Sequence, residues 1–597
     1  MESPEGYPGG SGLANAIADF GTPDEEPDYL NDMSFYNLDS SKKHRAIFAT
    51  NIVDMVRLSL ADQGKVMTIF RMLSDAARHD DVSMLIAHSL VDVVSLIEGD
   101  HAALKQLLGV FETLCLSSDA QVVTETCQTL ADVISNNRNP TLFIDHFMPM
   151  VFRFATSGYS APRSSGALLL HACYEFIADG EEQAMIRDLF QNLCEDSSVI
   201  VRRAAASTLS EWFSILGIDG PKFVLPLLHA FCRDQDHDTI RIAAVRAISS
   251  ISLHVSSTAK GELTNATIAL AQDESWRVRY VVGSEISTLA SHLAANALTP
   301  SIVLLSQDEE RQVRAITAAQ LGVACEAASG DIVLADYLDV VTHLAHDEAA
   351  DVRSSLARVM CSVAAHCPTR ESADKLLPLV LRLLQETDAV KTELVPTLWK
   401  LGPKLLSEVG LAKELCEILS RIRSHKSWRL RDALAFLLRH FAPYLNIEPY
   451  ANLLKDSMQF IFDPVAAVRH TMTSTLSTVS RQQGPKWTLR SLIDLAPHAH
   501  DVSYRSRQAF TSCFEVLLPA LDDRATAEEL SPVLDALSCL AKDPVDNVRL
   551  VLGRSLCTAV TPKVMQPVQA DILKLLQRDR CADVAAAATP VMSKAPF

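Results

Sequence analysis

The chain has 597 residues and a formal net charge of −19, with 48% hydrophobic and 6% aromatic residues. This acidic balance, without a basic stripe interleaved with aromatic residues, argues against nucleic acid as a main partner and is compatible with basic protein partners. No uninterrupted apolar run of about 18 residues predicts a membrane span, and the acidic N-terminus is unlike a secretory signal. The 13 cysteines form no C-x-x-C pair, which indicates reduced, buried thiols in the cytoplasm or nucleus.

Residues 1–43 differ from the rest of the chain. Nine acidic residues precede the first basic residue, Lys42, and few apolar residues accompany them. Such a segment cannot bury enough apolar surface to offset the entropy lost on ordering. We therefore predict a disordered acidic extension over 1–43, in which Tyr29-Leu30 and Phe35–Leu38 either form a short docking motif or have no binding role.

The stretch Asp273–Tyr280, with the sequence D-E-S-W-R-V-R-Y, is the clearest copy of a unit that recurs to the C-terminus. Its opening aspartate is followed six residues later by Arg279. The same offset joins Asp196 to Arg202, Asp308 to Arg314, Asp347 to Arg353, Asp463 to Arg469, Asp501 to Arg507 and Asp543 to Arg549, whereas Asp579 is followed by Ala585. The copies are spaced about 38 residues apart, which fits a two-helix repeat of the HEAT type better than an ankyrin or tetratricopeptide repeat.

Each copy predicts two helices joined by a turn. The second helix has an apolar stripe with helical spacing, as in Val278, Val282, Ile286 and Leu289. The first helix is more densely apolar and often contains a proline that would bend it without ending it, namely Pro226, Pro378 and Pro532. Because each repeat buries its apolar face against its neighbours, we predict an all-α solenoid of about fifteen HEAT repeats.

The recurring aspartate and arginine have a structural interpretation. The aspartate lies in the turn, where its carboxylate can accept N–H groups from the first turn of the second helix. The arginine can reach the aspartate of its own repeat or of the next one, so that stacked repeats would form a ladder of charge-assisted hydrogen bonds. We therefore interpret most of these residues as scaffold and not as catalytic groups.

The repeat pattern divides the chain. Residues 44–140 are predicted to form degenerate N-terminal repeats, because the turns near Asp80 and Asp119 lack the arginine. The pattern is regular up to Pro368, and then Gln385 and Lys391 stand where aspartate and arginine are expected. His425 stands where an aspartate is expected, which predicts a differently shaped turn. No long linker or inserted domain is predicted after residue 43.

Several turns carry a family resemblance from about residue 140 to the end of the chain. They are Val201–Ala206, Ser275–Tyr280, Ser427–Arg431, Gly484–Trp487 and Asp543–Arg549. These turns resemble those of the scaffolding A subunits of protein phosphatase 2A, a HEAT-repeat family. Residues 1–43 are not part of that family's pattern.

The resemblance implies a horseshoe in which the turns line one ridge and hold two partners in a heterotrimer. Residues 141–400 would hold an exchangeable regulatory subunit through Asp196, Arg202, Arg203, Asp234, Asp236, Trp276 and Arg277. Residues 401–597 would hold the phosphatase catalytic subunit through Trp428, Arg429, Tyr504, Pro544 and Val545. Tyr159 stands where the family has another aromatic residue, and Asp234 precedes Arg241 by seven residues, so which regulatory subunits bind is left open.

Residue chemistry supports the two tryptophan turns separately. Trp276 and Trp428 each precede an arginine and stand outside the apolar stripe. Tryptophan and arginine are the residue types most enriched at interface hot spots. The alternative is that both tryptophans only cover the adjacent turn.

Other functional classes find less support. The sequence has no P-loop, G-x-S-x-G, H-E-x-x-H or G-x-G-x-x-G motif, so we predict a non-enzyme without a cofactor. Cys361, His366 and Cys367 have the wrong spacing for a zinc site, and no metal is expected. The alternatives are a HEAT-repeat adaptor or nuclear-transport-type binder of basic cargo, and a scaffold of a related phosphatase.

Overall fold

The computed structural model describes residues 42–97, 99–136, 139–293, 295–327, 331–366, 370–521, 525–558 and 561–589. Throughout these ranges the regular structure is helical, and no strand occurs in them. The chain forms two compact units that divide between Ile251 and Ser252. Within each unit, the second helix of a repeat packs on the second helix of the next repeat. The predicted all-α solenoid is confirmed.

The described part of the first unit starts with the helix Lys42–Ser59. The predicted extension, residues 1–43, therefore lies outside the described residues except for Lys42 and Lys43, which are helical. The α-helices of this unit are Lys42–Ser59, Gln63–Ala76, Asp80–Leu96, His101–Cys115, Ala120–Asn136, Pro140–Leu142, Met148–Ala155, Ser160–Tyr174, Gly180–Cys194, Val199–Ser207, Leu209–Leu216, Gly220–Cys232 and Asp238–Ile251. A π-helical turn spans Phe143–Phe147, and a 3-10 turn spans Gly217–Asp219.

The second unit continues the same alternation. Its α-helices are Ser257–Leu270, Trp276–His292, Ala295–Ser306, Arg311–Ala327, Asp331–Ala345, Ala350–His366, Arg370–Leu383, Asp388–Leu394, Gly402–Leu406, Val409–Ile422, Trp428–Leu438, Glu448–Ser457, Ala466–Gln483, Pro485–Leu495, Tyr504–Leu517, Ala527–Leu540, Asp546–Thr558, Gln566–Leu576 and Ala582–Ala587. Short 3-10 segments extend several of them, at Val395–Leu401, Arg439–Tyr444, Met458–Phe462, Ala496–His500, Leu518–Ala520 and Lys563–Met565.

The apolar stripes form the core, as predicted. Val278, Val282, Ile286 and Leu289 are fully buried. In the first unit, Trp212 is also fully buried, and its ring lies 4.6 Å from that of Phe190. The prolines expected within first helices do lie inside helices, at Pro226, Pro378 and Pro532.

First and second helices begin differently. Many first helices are capped by the side chain of the residue that precedes them. Asp100, for example, accepts hydrogen bonds from the N–H groups of Ala102 and Ala103. Second helices instead follow an extended residue, such as Ser198, Ser275, Ser427 or Ser503, which makes no side-chain cap hydrogen bond. The turn before a second helix is therefore built by other residues.

One described stretch, Leu209–Cys232, is long and apolar enough to cross a membrane, by length and composition. The chain turns within it at Gly217, whose φ of 52° is rarely adopted by residues with a Cβ atom. A Cβ atom on Gly220 would lie 2.6 Å from the carbonyl oxygen of Phe213, which shows how closely the two halves approach. The stretch thus comprises the end of one repeat's second helix and the first helix of the next repeat.

Candidate functional site

An arginine near the start of a second helix connects its own turn to the turn of the next repeat. Arg314 Nη1 donates to the carbonyl oxygen of Asp308 at 2.8 Å, while its Nε and Nη2 donate to the two carboxylate oxygens of Asp347 at 2.6 and 3.1 Å. We call this arrangement the arginine ladder. The same paired contact joins Arg163 to Asp196, Arg202 to Asp234, Arg279 to Asp308, Arg431 to Asp463, Arg507 to Asp543 and Arg549 to Asp579. The predicted ladder is confirmed.

The ladder aspartate also shapes its own turn. Asp273 Oδ1 accepts a hydrogen bond from the N–H of Ser275, and Asp196 accepts one from Ser198 in the same way, each at 2.8 Å. These N–H groups belong to the residue that precedes the helix. The carboxylate therefore fixes the conformation of the chain just before the helix. The sequence analysis had predicted instead that it would accept N–H groups of the first helical turn.

His425 replaces the aspartate without changing the turn. Its Nδ1 atom accepts a hydrogen bond from the N–H of Ser427 at 3.1 Å, and its carbonyl oxygen accepts one from Arg431 Nη1 at 2.7 Å. Since Nδ1 is the acceptor, the ring proton is assigned to Nε2, which lies 3.4 Å from Asp388 Oδ1. The prediction of a differently shaped turn at His425 is wrong, because a ring nitrogen can accept the same hydrogen bond.

The ladder lowers the pKa of several of its carboxyl groups. The hydrogen bond from Arg163 lowers the pKa of Asp196 below its ordinary value of 3.8. Burial alone would raise the pKa of Asp347, but the hydrogen bonds from Arg314 and the backbone outweigh burial and the pKa is lowered. The pKa is also lowered for Asp81, Asp234, Asp543 and Asp579.

Acid is therefore expected to destabilise the fold. Because the folded pKa of these carboxylates lies below the unfolded value, their stabilisation is complete above the unfolded value and is lost as the pH falls through the folded pKa. Urea unfolding should show a constant midpoint between about pH 6 and 5 and a falling midpoint below about pH 4. A midpoint that stays constant down to about pH 3 would contradict a stabilising role for the ladder.

Among the contacts of the described residues, two ladder contacts were not predicted from the sequence. Arg45 donates from Nε and Nη2 to Asp81 at 3.2 and 2.8 Å, although the repeat there had seemed to lack an arginine. Gln385 occupies the position expected for an aspartate, and the next residue, Glu386, provides the carboxylate for Arg353 at 3.2 Å. The signal for Arg45 was its distance of 36 residues from the next turn's aspartate, a spacing shared by Arg507 and Asp543.

Arg469 departs from the ladder. Its Nη1 donates to the carbonyl oxygens of Asp463 and Pro464 at 2.7 and 3.1 Å, as in other repeats. Asp501 opens the next turn and would be its ladder partner, but no ion pair joins Arg469 to Asp501 in the described structure. The Asp501 carboxylate lies 3.6 Å from His498 Nδ1 and is 41% exposed, whereas the aspartates paired with Arg431 and Arg507 are 5% and 3% exposed.

In the described part of the chain, three second helices begin with an aromatic residue followed by an arginine. The guanidinium carbon lies 5.2 Å from the ring centroid in Trp276 and Arg277, and 4.9 Å in Trp428 and Arg429. A third pair, Tyr504 and Arg505, has a separation of 5.9 Å. Arg505 was not among the predicted site residues, although its place beside Tyr504 matches the two tryptophan turns.

The ladder does not use the aromatic–arginine pairs. Three groups of each turn take part in the ladder. They are the opening residue, the N–H group two positions after it and the arginine six positions after it. The aromatic residue and its arginine stand three and four positions after the opening residue, where no ladder contact is made. Trp428 and Tyr504 are 37% and 40% exposed, Trp276 is half-buried, and the three neighbouring arginines are exposed.

The last turn of the predicted catalytic-subunit set contains Pro544 and Val545. Pro544 is exposed and Val545 is half-buried. The N–H of Val545 donates to Asp543 at 2.9 Å, so that the backbone belongs to the ladder while both side chains project from it. This turn therefore offers an apolar surface on the same kind of loop as the aromatic pairs.

The predicted regulatory-subunit residues divide into two kinds. Asp196, Arg202 and Asp234 are ladder residues with side chains about one-tenth exposed. Asp236 is 69% exposed and accepts a hydrogen bond from Arg202 at 2.7 Å, and Arg203 lines a groove of about 390 Å³ in the first unit. The acidic and basic members lie in the first unit, whereas Trp276 and Arg277 lie in the second.

Comparisons with known proteins identify relatives for part of the chain. No family model matches. A stretch of 140 residues is 33% identical to the beta isoform of the 65 kDa regulatory A subunit of serine/threonine-protein phosphatase 2A from Rattus norvegicus, covering 24% of this chain and 23% of that protein. The PP2A regulatory A subunit of Schizosaccharomyces pombe is 26% identical over 214 residues, 35% of this chain and 36% of the relative. That of Saccharomyces cerevisiae is 25% identical over 253 residues, 40% of this chain and 39% of the relative.

Solved structures resemble a larger part of the chain. A Kap121p mutant superposes with a TM-score of 0.55 and 15% identity over 89% of this chain and 58% of its own. Yeast importin-beta, Kap95p, superposes with a TM-score of 0.54 and 12% identity over 94% of this chain and 83% of its own. The repeats are HEAT repeats.

The structural likeness concerns the fold alone, because the identities are low. The sequence likeness is more specific, but the chain spans only about a quarter to two fifths of the length of the curated relatives it matches. Those relatives are named as regulatory subunits of a phosphatase.

Proposed function

We propose that this chain is a non-catalytic scaffold that holds both the catalytic and an exchangeable regulatory subunit of a phosphatase of the 2A type. The observation that carries the proposal is the set of aromatic–arginine pairs at the starts of second helices, where the ladder makes no contact with them. Partial sequence similarity to regulatory A subunits of protein phosphatase 2A supports the identity of the partners.

The ladder makes these turns suitable for binding. Trp428 follows His425 and precedes Arg431, both of which are fixed by hydrogen bonds. A partner that binds Trp428 therefore orders little backbone, and the entropy lost on binding is small. The arginine stacked beside each ring adds a donor that can pair with carboxylates or carbonyl oxygens of the partner.

We assign two surfaces to the two partners. The catalytic subunit is held within residues 401–597 by Trp428, Arg429, Tyr504, Pro544 and Val545. The regulatory subunit is held within residues 141–400 by Arg203, Asp236, Trp276 and Arg277, while Asp196, Arg202 and Asp234 keep the turns in shape. Two partners on one scaffold have a raised effective concentration for each other, and this is how a protein without an active site directs a phosphatase.

The experiment is purification of the tagged full-length chain from cytoplasmic and nuclear extracts, followed by mass spectrometry. The proposal expects a phosphatase catalytic subunit together with regulatory subunits. The matched control is the Trp428→Ala chain, which should lose the catalytic subunit but retain the regulatory one. Recovery of Ran or basic import cargo without a phosphatase would instead support the nuclear-transport alternative.

A paired substitution tests the second surface. Trp276→Ala with Arg277→Ala is expected to weaken a regulatory subunit by about 2 kcal/mol or more, because both residues are typical of hot spots and neither belongs to the core. Binding of the catalytic subunit should be unchanged, as measured by titration calorimetry with each purified partner. Loss of both partners together would indicate misfolding and would contradict this assignment.

A further inference from the structure

A polar groove of about 540 Å³ lies between the second helices Ala466–Gln483 and Tyr504–Leu517. Its basic side chains, Arg469, His470 and Arg505, lie within the first two turns of these helices. Its acidic residue, Glu515, lies near the end of the second of them. We call this the Arg469 groove. It differs from the aromatic turns because it runs between helices, although Arg505 belongs to both.

The Nε and Nη2 atoms form one edge of the Arg469 guanidinium group. In the neighbouring repeats, the same edge of the arginine is bound to an aspartate. In the repeat before it, Arg431 donates from Nε and Nη2 to both oxygens of Asp463, at 2.6 and 3.0 Å. In the repeat after it, Arg507 binds Asp543 in the same way. Arg469 is oriented by the same carbonyl contacts, but within the described residues no carboxylate meets its Nε and Nη2 atoms. This edge has the geometry that binds a carboxylate with two hydrogen bonds.

The surroundings of Arg469 reinforce its preference for an anion. His470 and Arg505 are exposed, and the described contacts of the Arg505 guanidinium are with the ring and hydroxyl of Tyr504. Asp501 is the nearest candidate in sequence to neutralise this charge, but its carboxylate lies beside His498. Glu515 accepts a hydrogen bond from Ser555 at 2.7 Å. One end of the groove is therefore basic and the other acidic.

Between these ends, the groove is lined with hydroxyl and amide groups. They belong to Thr473, Ser474, Ser477, Gln508 and Ser512. The hydroxyls of Thr473 and Ser512 donate to carbonyl oxygens of their own helices, which leaves their oxygen atoms able to accept hydrogen bonds. From Ala466 to Ser477 the groove follows about 16 Å of helix, a length that matches about five extended residues.

We propose that the Arg469 groove binds an acidic peptide segment of a partner protein, with one carboxylate of the segment on Arg469 in the place of the absent ladder aspartate. The peptide backbone then lies along the hydroxyl and amide groups, and its acidic end points away from Glu515. Charge complementarity commits the site to an acidic segment, and the length of the groove favours a peptide over a small anion. This proposal does not require that the partner is a phosphatase subunit.

The test is fluorescence anisotropy of a fluorescein-labelled six-residue peptide, three glutamates followed by three serines, with the full chain at low salt. Saturable binding is expected, weakened by added sodium chloride because the contacts are ionic. Arg469→Gln and Arg505→Gln should each weaken binding at least about tenfold, the usual effect of losing a charge-assisted contact. Arg469→Lys should weaken it less than Arg469→Gln, because it keeps the charge and loses the two-donor edge.

The matched control is Arg481→Gln, which removes an exposed arginine from the end of the same helix outside the groove. It should change binding less than twofold. Thermal unfolding of each variant separates loss of the site from loss of the fold, and Arg505→Gln is informative even if Arg469→Gln is destabilised. The proposal is overturned if the native chain does not bind, if Arg481→Gln weakens binding as much as Arg469→Gln, or if inorganic phosphate binds as tightly as the peptide.

Discussion

Trp428→Ala is expected to weaken binding of a phosphatase catalytic subunit by about 2–4 kcal/mol, which corresponds to a rise in Kd of about 30- to 900-fold. The indole is more than one-third exposed and lies at the first position of its helix, where Arg429 stacks against it. Leu430, two positions later, is fully buried and carries the packing. The substitution therefore removes a large contact surface without opening a cavity in the core.

Trp399→Ala is the matched control, to be compared with Trp428→Ala by titration calorimetry. Trp399 is 39% exposed, almost the same as Trp428, but it lies in the 3-10 segment Val395–Leu401 and stacks on His440 at 4.6 Å. It should leave the catalytic subunit's Kd within about twofold, since it lies away from the turns. Unchanged binding by Trp428→Ala, or an equal loss in both variants, would refute the assignment of this surface.

The sequence predicted the repeats well because their signal is local. The period, the apolar stripe and the offset between Asp273 and Arg279 are all visible within one copy, and each copy repeats the evidence. The structure adds that the arginine binds forward, to the aspartate of the next repeat. The sequence left this direction open, because a spacing of about 38 residues allows either contact.

The departures were harder to predict because several side chains can satisfy one hydrogen bond. His425 replaces an aspartate as the acceptor in its turn, and Glu386 replaces one as the partner of Arg353. Both substitutions preserve the geometry while breaking the sequence pattern. Conversely, Asp501 preserves the pattern but not the contact, because its carboxylate lies beside His498. Residue identity predicts a ladder contact only where the neighbouring side chains leave no alternative partner.

The predicted site residues are of two kinds, those outside the ladder and those engaged in it. The aromatic and arginine residues at Trp276, Trp428 and Tyr504 occupy positions of the turn that the ladder does not use. Asp196, Arg202 and Asp234 came from the same family resemblance, but their side chains are engaged with other ladder residues. A motif that combines scaffold and binding residues can be divided only when the hydrogen bonds are known.

Asp347→Ala is expected to lower the free energy of unfolding by about 3–5 kcal/mol, the usual effect of removing one member of a buried ion pair. The side chains of Arg314 and Asp347 are 10% and 3% exposed, and Asp347 also accepts the N–H of Ala349. Without the carboxylate, two guanidinium donors and one backbone donor lose their acceptor in a site that water reaches poorly. Urea unfolding followed by circular dichroism measures the effect.

Two further variants separate the ion pair from a general effect of charge. Asp236→Ala should cost less than about 1 kcal/mol, because Asp236 is mostly exposed and Arg202 keeps Asp234. Arg314→Met combined with Asp347→Leu removes both charges and should be less destabilising than Asp347→Ala alone. Because HEAT repeats contact mainly their neighbours, the destabilisation should affect only part of the chain. It should appear as a transition at lower urea concentration that involves part of the helical circular-dichroism signal. Equal stability of Asp347→Ala and Asp236→Ala would mean that the ladder adds nothing to cohesion between repeats.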